Sequence, residues 1–364
     1  MQKTNDILFS IIIPVYNTSK YIEKCLDSII EAIDKDCEVI IINDGSTDNS
    51  DEVIKKYLKK IPKQIINNFT YLKKENKGLA DTKNVGISLS HGKYISVVDS
   101  DDTIAENFYN DARKYVMQNY DVIIYDLYIK YEKRTEKQID YIARAIREDS
   151  KGEFIDKIMN GAMQGSSCNK IIKKDLYKYE FPVDKEYEDV AVTPFILLDA
   201  KKIKYIPNPN YIYLQREKSI VASNTLDKAF YKICKNISDV LKEIDNIDKY
   251  TEVINVFFVD RTIDMLDLSL KTSKKMFCNK IEDFYEENKI IIKYIVEKDI
   301  INNKKAFLTE RQYEILSKIY INLYNKNYKK VKQMLVLRRL VNWCRTILGS
   351  FKQFIKAIFG GIYG

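Results

Sequence analysis

Five short segments of this chain carry residue types that could do chemistry. Asp99-Ser100-Asp101-Asp102 follows an apolar run ending at Val98. Carboxylates at alternating positions there could offer oxygens to one hard cation, magnesium or manganese. A helix N-cap is the competing use of such aspartates, but three carboxylates in four residues repel one another unless a cation compensates. Asn43-Asp44-Gly45-Ser46-Thr47-Asp48 follows a second apolar run. Gly45 permits a tight turn or a close approach to a ligand, and Asp44 could accept hydrogen bonds from a nucleobase or ribose. An ordinary turn capped by Asp48 is the plainer alternative. Lys83, about one helical turn beyond Asn76-Lys77-Gly78-Leu79, could meet a diphosphate, or be a solvated surface charge. Glu188-Asp189 could supply the carboxylate that accepts a proton from an attacking hydroxyl, or simply start a helix. Arg216, after Tyr211-Ile212-Tyr213-Leu214-Gln215, could clamp phosphate bidentately or be structural.

The elements that must position these residues alternate. Strands are predicted at Leu8–Ile13, Glu38–Ile42, Phe69–Leu72, Tyr94–Val98 and Asp121–Tyr128, with helices at Ser19–Ile33, Asp48–Leu58 and Leu79–Leu89 between them. Such alternation implies an α/β domain with a mostly parallel sheet. Ligands then sit at the carboxyl ends of strands, where the loops 14–18, 43–48 and 99–103 emerge. Residues 131–165 read as charged and helix-prone, and Lys204–Leu214, with Pro207 and Pro209, as short strands or loops. From Leu226 to Asn327 the pattern is helical.

Composition narrows the chemistry. The chain has 364 residues, 45% apolar and 31% charged, which suits a folded body of two domains. His91 is the only histidine, so multi-histidine metal sites and a Ser-His-Asp triad are disfavoured. The six cysteines show no CxxC spacing, which fits a reducing compartment. No signal peptide is read in residues 1–10, and no run reaches the length of a spanning helix.

Taken in order, Ser10-Ile11-Ile12-Ile13-Pro14-Val15-Tyr16-Asn17, Asn43-Asp44-Gly45-Ser46-Thr47-Asp48, Asn84-Val85-Gly86-Ile87, Asp99-Ser100-Asp101-Asp102 and Glu188-Asp189 resemble the family-2 glycosyltransferases of the GT-A fold, over about residues 8–220. The resemblance implies a Rossmann-like nucleotide-sugar-binding domain and an inverting, metal-dependent sugar transfer. The donor would be a nucleotide-diphosphate sugar, UDP-linked by expectation, with manganese or magnesium as cofactor. Pro14, Tyr16 and Asn17 would flank the nucleoside, and Asp44 would recognise the base. Asp99 and Asp101 match the family's DxD pair, with Asp101 on the metal, Asp99 on the ribose or the metal, and Ser100 between them at the donor. Asp189 would be the catalytic base, beside Glu188. Arg216 falls in a segment like the family's Gln-Arg-x-x-Ser loop, and Asn169-Lys170 resembles its Trp-Asn-Lys motif. Lys83 stands where the family usually has Arg, and Cys168 where it often has Trp.

The domain expectation is a GT-A domain over 1–220, a helical domain over 221–330 and a basic amphipathic helix over 331–364. From Ile315 onward there are ten Lys or Arg and no acid, leaving about −2 for the rest of a chain of net charge +8. An apolar stripe from Leu337 to Ile362, with Trp343, is the pattern of a helix lying in a membrane interface; packing on the body or a second subunit is the alternative. The expected setting is cytoplasmic, peripheral at the inner face of the cell membrane, with a glycan or lipid-linked acceptor as partner, no nucleic acid, and an oligomer allowed. A nucleotidyltransferase would want a glycine-rich loop, and 14–18 has no Gly. A catalytically silent nucleotide-sugar binder or scaffold of the same fold is the other alternative.

Overall fold

The computed structural model describes residues 7–131, 134–139, 166–215, 226–254, 274–301 and 310–338. The chain divides into two compact units, Met1–Thr225 and Leu226–Gly364.

In the first unit, strands β1 (Phe9–Val15), β2 (Cys37–Asp44), β3 (Phe69–Lys74) and β4 (Tyr94–Val97) form a parallel array in the order β3-β2-β1-β4. The helices α1 (Ile22–Ala32), α2 (Ser50–Leu58) and α3 (Gly78–Leu89) connect them. The runs Ile11-Ile12-Ile13 and Val39-Ile40-Ile41-Ile42 are apolar throughout because both faces of the sheet are covered. Ile11, Ile13, Val39 and Ile41 join the core that includes Leu26, Ile29 and Ile54 of α1 and α2. Ile12, Ile40 and Ile42 face the other way, toward Val85 and Ile87 of α3. Gly86 makes that second contact close: a Cβ on it would stand 2.4 Å from Cγ2 of Ile12.

The remaining strands make the sheet mixed. The short β5 (Thr103–Ile104) is followed by α4 (Phe108–Val116), β6 (Val122–Tyr131), β7 (Arg134–Ile139), β8 (Lys170–Lys173), α5 (Glu188–Asp199) and β9 (Ile203–Gln215). Antiparallel β8 joins β4 to β6, and β6 runs parallel to β9. Two expectations change here. Residues 134–139 are a strand antiparallel to β6. The Lys204–Leu214 segment is one long strand rather than short strands or loops. It tolerates Pro207 and Pro209 because the register slips there: Tyr125 pairs with Ile206 and Leu127 with Tyr211. Proline lacks a ladder donor and is confined to such irregularities.

The second unit is helical where described. It contains α6 (Leu226–Lys242), a turn of helix at Thr251–Ile254, α7 (Lys274–Glu297), α8 (Glu310–Tyr324) and a helical stretch over 328–338. Ile237, Ile281, Ile291, Ile319 and Leu323 are buried there, and Lys235 reaches Glu287 at 2.6 Å. None of the described helices is long and apolar enough to cross a membrane. Most of the expected basic tail helix, from residue 339 on, lies outside the described residues.

Candidate active site

The loops after β1, β2 and β4 meet at the carboxyl edge of the parallel array. Pro14 is buried at the end of β1, while Tyr16 is 49% exposed. Asn17 adopts φ 53°, which its short polar side chain tolerates. Its Oδ1 accepts from the backbone N–H groups of Thr47 (2.8 Å) and Asp48 (3.2 Å), stapling the first loop to the second. Thr18 Oγ1 donates to the buried Ser100 Oγ at 2.9 Å, which ties the first loop to the third.

Asp44 is buried and heavily used. Its Oδ1 accepts the Lys77 N–H (2.9 Å) and the Lys74 ammonium, and its Oδ2 accepts the Gly78 N–H (2.8 Å). A carboxylate at those amides favourably meets the N-terminus of α3. Lys74 also pairs with Asp81 at 2.7 Å. Gly45 is required here on two counts. Its φ is +65°, and a Cβ would lie 2.8 Å from the Asn76 backbone nitrogen.

Lys83 is not a surface charge. Its side chain is 2% exposed, and its ammonium sits 2.9 Å from Glu188 and 2.6 Å from Asp189. Burial works against that ammonium, but Asp189, Glu188 and Asp99 outweigh it and hold its pKa well above the ordinary value. Glu188 and Asp189 lie in the first turn of α5, where the helix dipole favours anions. Burial nevertheless pushes the Glu188 carboxyl upward against the pull of Lys83.

Asp99 belongs to the same cluster. Burial pushes its carboxyl up to about 7; Lys83 draws it down, while Asp101, Asp189 and Glu188 push it further up. Asp102 differs from its neighbours. Its Oδ2 accepts from Tyr211 Oη (2.7 Å) and its Oδ1 from the Leu214 N–H (2.7 Å). Both oxygens anchor β9, so Asp102 is structural even though it groups with Asp99 and Cys168 within 4.8 Å. Asp99 and the half-buried Asp101 are the pair suited to a cation. They present hard oxygen donors in a site whose crowded negative charge a magnesium or manganese ion would offset.

The structure thus gathers Asp99, Lys83, Glu188 and Asp189, and holds Asp44 at the N-terminus of the helix α3 that carries Lys83. Arg216 lies outside the described residues. Three participants carried no usable sequence signal: Ser167, which bonds Asp189, Lys74 beside Asp44, and Tyr211 beneath Asp102. Only the position of Asp102, out of the alternation of Asp99 and Asp101, could have hinted at its different task.

Residues 10–180 match the model of glycosyl transferase family 2. The chain is 28% identical over 301 residues to the glycosyltransferase GlyG of Streptococcus pneumoniae, covering 77% of this chain and 96% of that protein. It is 26% identical over 259 residues to the minor teichoic acid biosynthesis protein GgaB of Bacillus subtilis, covering 66% of this chain and 27% of that one. In fold it resembles residues 1–349 of S. aureus TarS in complex with UDP-GlcNAc, with a TM-score of 0.66 at 21% identity over 92% of each chain. The first unit of this chain is therefore a family-2 glycosyltransferase domain of GT-A fold.

Proposed function

We propose that this glycosyltransferase is inverting and metal-dependent, moving a sugar from a UDP-linked donor to a hydroxyl of a bacterial surface glycan or teichoic-acid-like acceptor. The observation that carries the reading is the buried Lys83 ammonium bridging Glu188 and Asp189. With Asp99 close enough to feel all three groups, it concentrates three carboxylates and one cation where loops leave the strand ends. GgaB, named for teichoic acid biosynthesis, and TarS, crystallised with UDP-GlcNAc, support the acceptor class and the donor.

A magnesium or manganese ion held by Asp101 with Asp99 would offset the charge developing on the departing diphosphate. Asp44 and the loop of Pro14, Tyr16 and Asn17, with Ser100, would hold the nucleoside end. Lys83, and Arg216 from its loop, would meet the diphosphate, Lys83 by turning from the acid pair toward the phosphates. Asp189, with Glu188 beside it, would take the proton as the acceptor oxygen attacks the anomeric carbon opposite the leaving group. The bond to the diphosphate breaks as the new glycosidic bond forms, and one displacement inverts the centre. The basic tail, 331–364, would hold the enzyme against an anionic membrane at its cytoplasmic face.

The test is release of nucleoside diphosphate across a panel of nucleotide sugars, with manganese, magnesium or chelator. UDP-sugars should turn over only with metal, and Asp101→Asn should abolish that turnover in a protein with unchanged circular dichroism. Near-wild-type turnover by Asp101→Asn, or turnover unaffected by chelator, refutes the metal assignment. No release from any donor refutes the catalytic reading.

A further inference from the structure

Each carboxylate oxygen offers about two acceptor directions. Asp189 Oδ1 has both filled, by Lys83 at 2.6 Å and by Ser167 Oγ at 3.2 Å. Among the described residues its Oδ2 receives one bond, from the Ser167 backbone N–H at 3.1 Å. One direction on Oδ2 is left, on a side chain that is still 15% exposed. Ser167 therefore fixes the plane of the carboxylate and determines which oxygen faces an incoming hydroxyl.

The turn that carries Ser167 is itself braced. Lys170 is completely buried, and its ammonium donates to the Ser166 carbonyl (2.6 Å) and to Asn169 Oδ1 (2.8 Å). Asn169 Nδ2 in turn donates to the Tyr125 carbonyl of β6 (2.7 Å), and the Tyr125 N–H donates to the Asn169 carbonyl (3.0 Å). Burying an ammonium is costly, and burial lowers the Lys170 pKa to about 8. No aliphatic side chain could hold those two oxygens, so the lysine carries a task that packing alone does not require.

We infer that Ser167 is a positioning residue for Asp189, aiming Oδ2 at the acceptor hydroxyl, and that Lys170 holds the Ser166–Asn169 turn at the height this needs. The inference rests on Asp189 as the proton acceptor proposed above. The proton leaves the hydroxyl for Oδ2, Oδ1 stays on Ser167 Oγ when Lys83 turns to the phosphates, and the oxygen's electron pair forms the new bond to carbon as the bond from that carbon to the diphosphate breaks.

The experiment uses the full chain, manganese and whichever donor the panel turns over fastest, with water or added glycan as acceptor. Ser167→Ala keeps the backbone N–H and loses the hydroxyl. Its kcat should fall about tenfold, the worth of one hydrogen bond to a charged group, with donor KM within about twofold by the same reasoning. Ser167→Thr should restore most of kcat, which a merely structural role for the serine would not require. Lys170→Met, if folded by circular dichroism, should show the same split; if it does not fold, the Ser167 pair decides. A Ser167→Ala enzyme at wild-type kcat, or one whose loss appears mainly in KM, overturns the inference. Asp189→Asn separates the two layers. A dead Asp189→Asn beside an unimpaired Ser167→Ala refutes only the positioning role, whereas an active Asp189→Asn removes the base itself.

Discussion

Replacing Lys83 by methionine shortens the unbranched side chain by only its terminal nitrogen and removes the charge. In the wild type the ammonium is 2% exposed, and its partners Glu188 and Asp189 are 9% and 15% exposed. Deleting one member of a buried ion pair typically costs about 3–5 kcal/mol, because the remaining charge is stranded. Here the remaining pair keeps some help. Asp189 retains two bonds from Ser167, and both acids stay at the N-terminus of α5. The lower end, about 3 kcal/mol, is therefore expected at pH 7.5. The deficit should also depend on pH, with a definite sign. Without Lys83 the Glu188 carboxyl, already pushed up by burial, rises further above its unfolded value, so the folded variant binds protons more readily than the unfolded chain. Its stability relative to wild type must then recover as pH falls from 7.5 toward 5. In the wild type the raised Lys83 pKa contributes stability that is fully present throughout this range and lost only at strongly alkaline pH. Urea unfolding followed by far-ultraviolet circular dichroism at both pH values measures this. The double variant Lys83→Met/Glu188→Gln should regain about half of the loss, since one stranded charge is gone. A Lys83→Met protein within about 1 kcal/mol of wild type at pH 7.5, or one whose deficit grows on acidification, would refute the reasoning.

Gly45→Ala should destabilise by about 1–3 kcal/mol, because it meets both the positive φ and the Asn76 nitrogen at 2.8 Å; an unchanged urea midpoint would contradict this. Asp51 is held well below the usual carboxylate range by Lys73, Tyr71 and Lys55. Its stabilisation is therefore present in full above about pH 4 and declines as the pH falls toward 2. Asp51→Asn should be less stable than wild type at pH 7, with a gap that narrows below pH 4; thermal melts across that range would show a constant gap if the reasoning fails. Deleting 331–364 should release the protein from vesicles containing phosphatidylglycerol in a flotation assay, and persistent binding would locate the membrane contact elsewhere.

The parallel half of the sheet was legible in the sequence because its strands are buried on both faces and bounded by turn residues. Ile11-Ile12-Ile13 and Ile40-Ile41-Ile42 admit few other readings. The site loops followed from strand polarity, since ligands collect at carboxyl ends. The partners within the site were not legible. Lys83 and Glu188 are separated by 105 residues and Ser167 and Asp189 by 22, and nothing local to Lys83 marks it as buried. Local spacing also grouped Asp102 with its acidic neighbours, although Tyr211 and Leu214 of β9 commit both of its oxygens. The proline pair in β9 obscured that strand for a similar reason. Its continuity depends on a register slip against β6, which is a property of the pair of strands rather than of either segment.

Helix α3 is held by acids at its N-terminus and at its middle. Asp44 grips the amides of Lys77 and Gly78, and the acid pair grips Lys83. The five steps from Gly78 to Lys83 span about 7.5 Å of helix axis. The helix therefore acts as a ruler, setting by its pitch the interval between the nucleoside end and the reacting end, where a loop could stretch or slacken. One residue inserted into α3 between these grips would turn the ammonium by about 100° and carry it off the carboxylates. The loops around the site can drift in length without changing that interval, but this helix segment cannot.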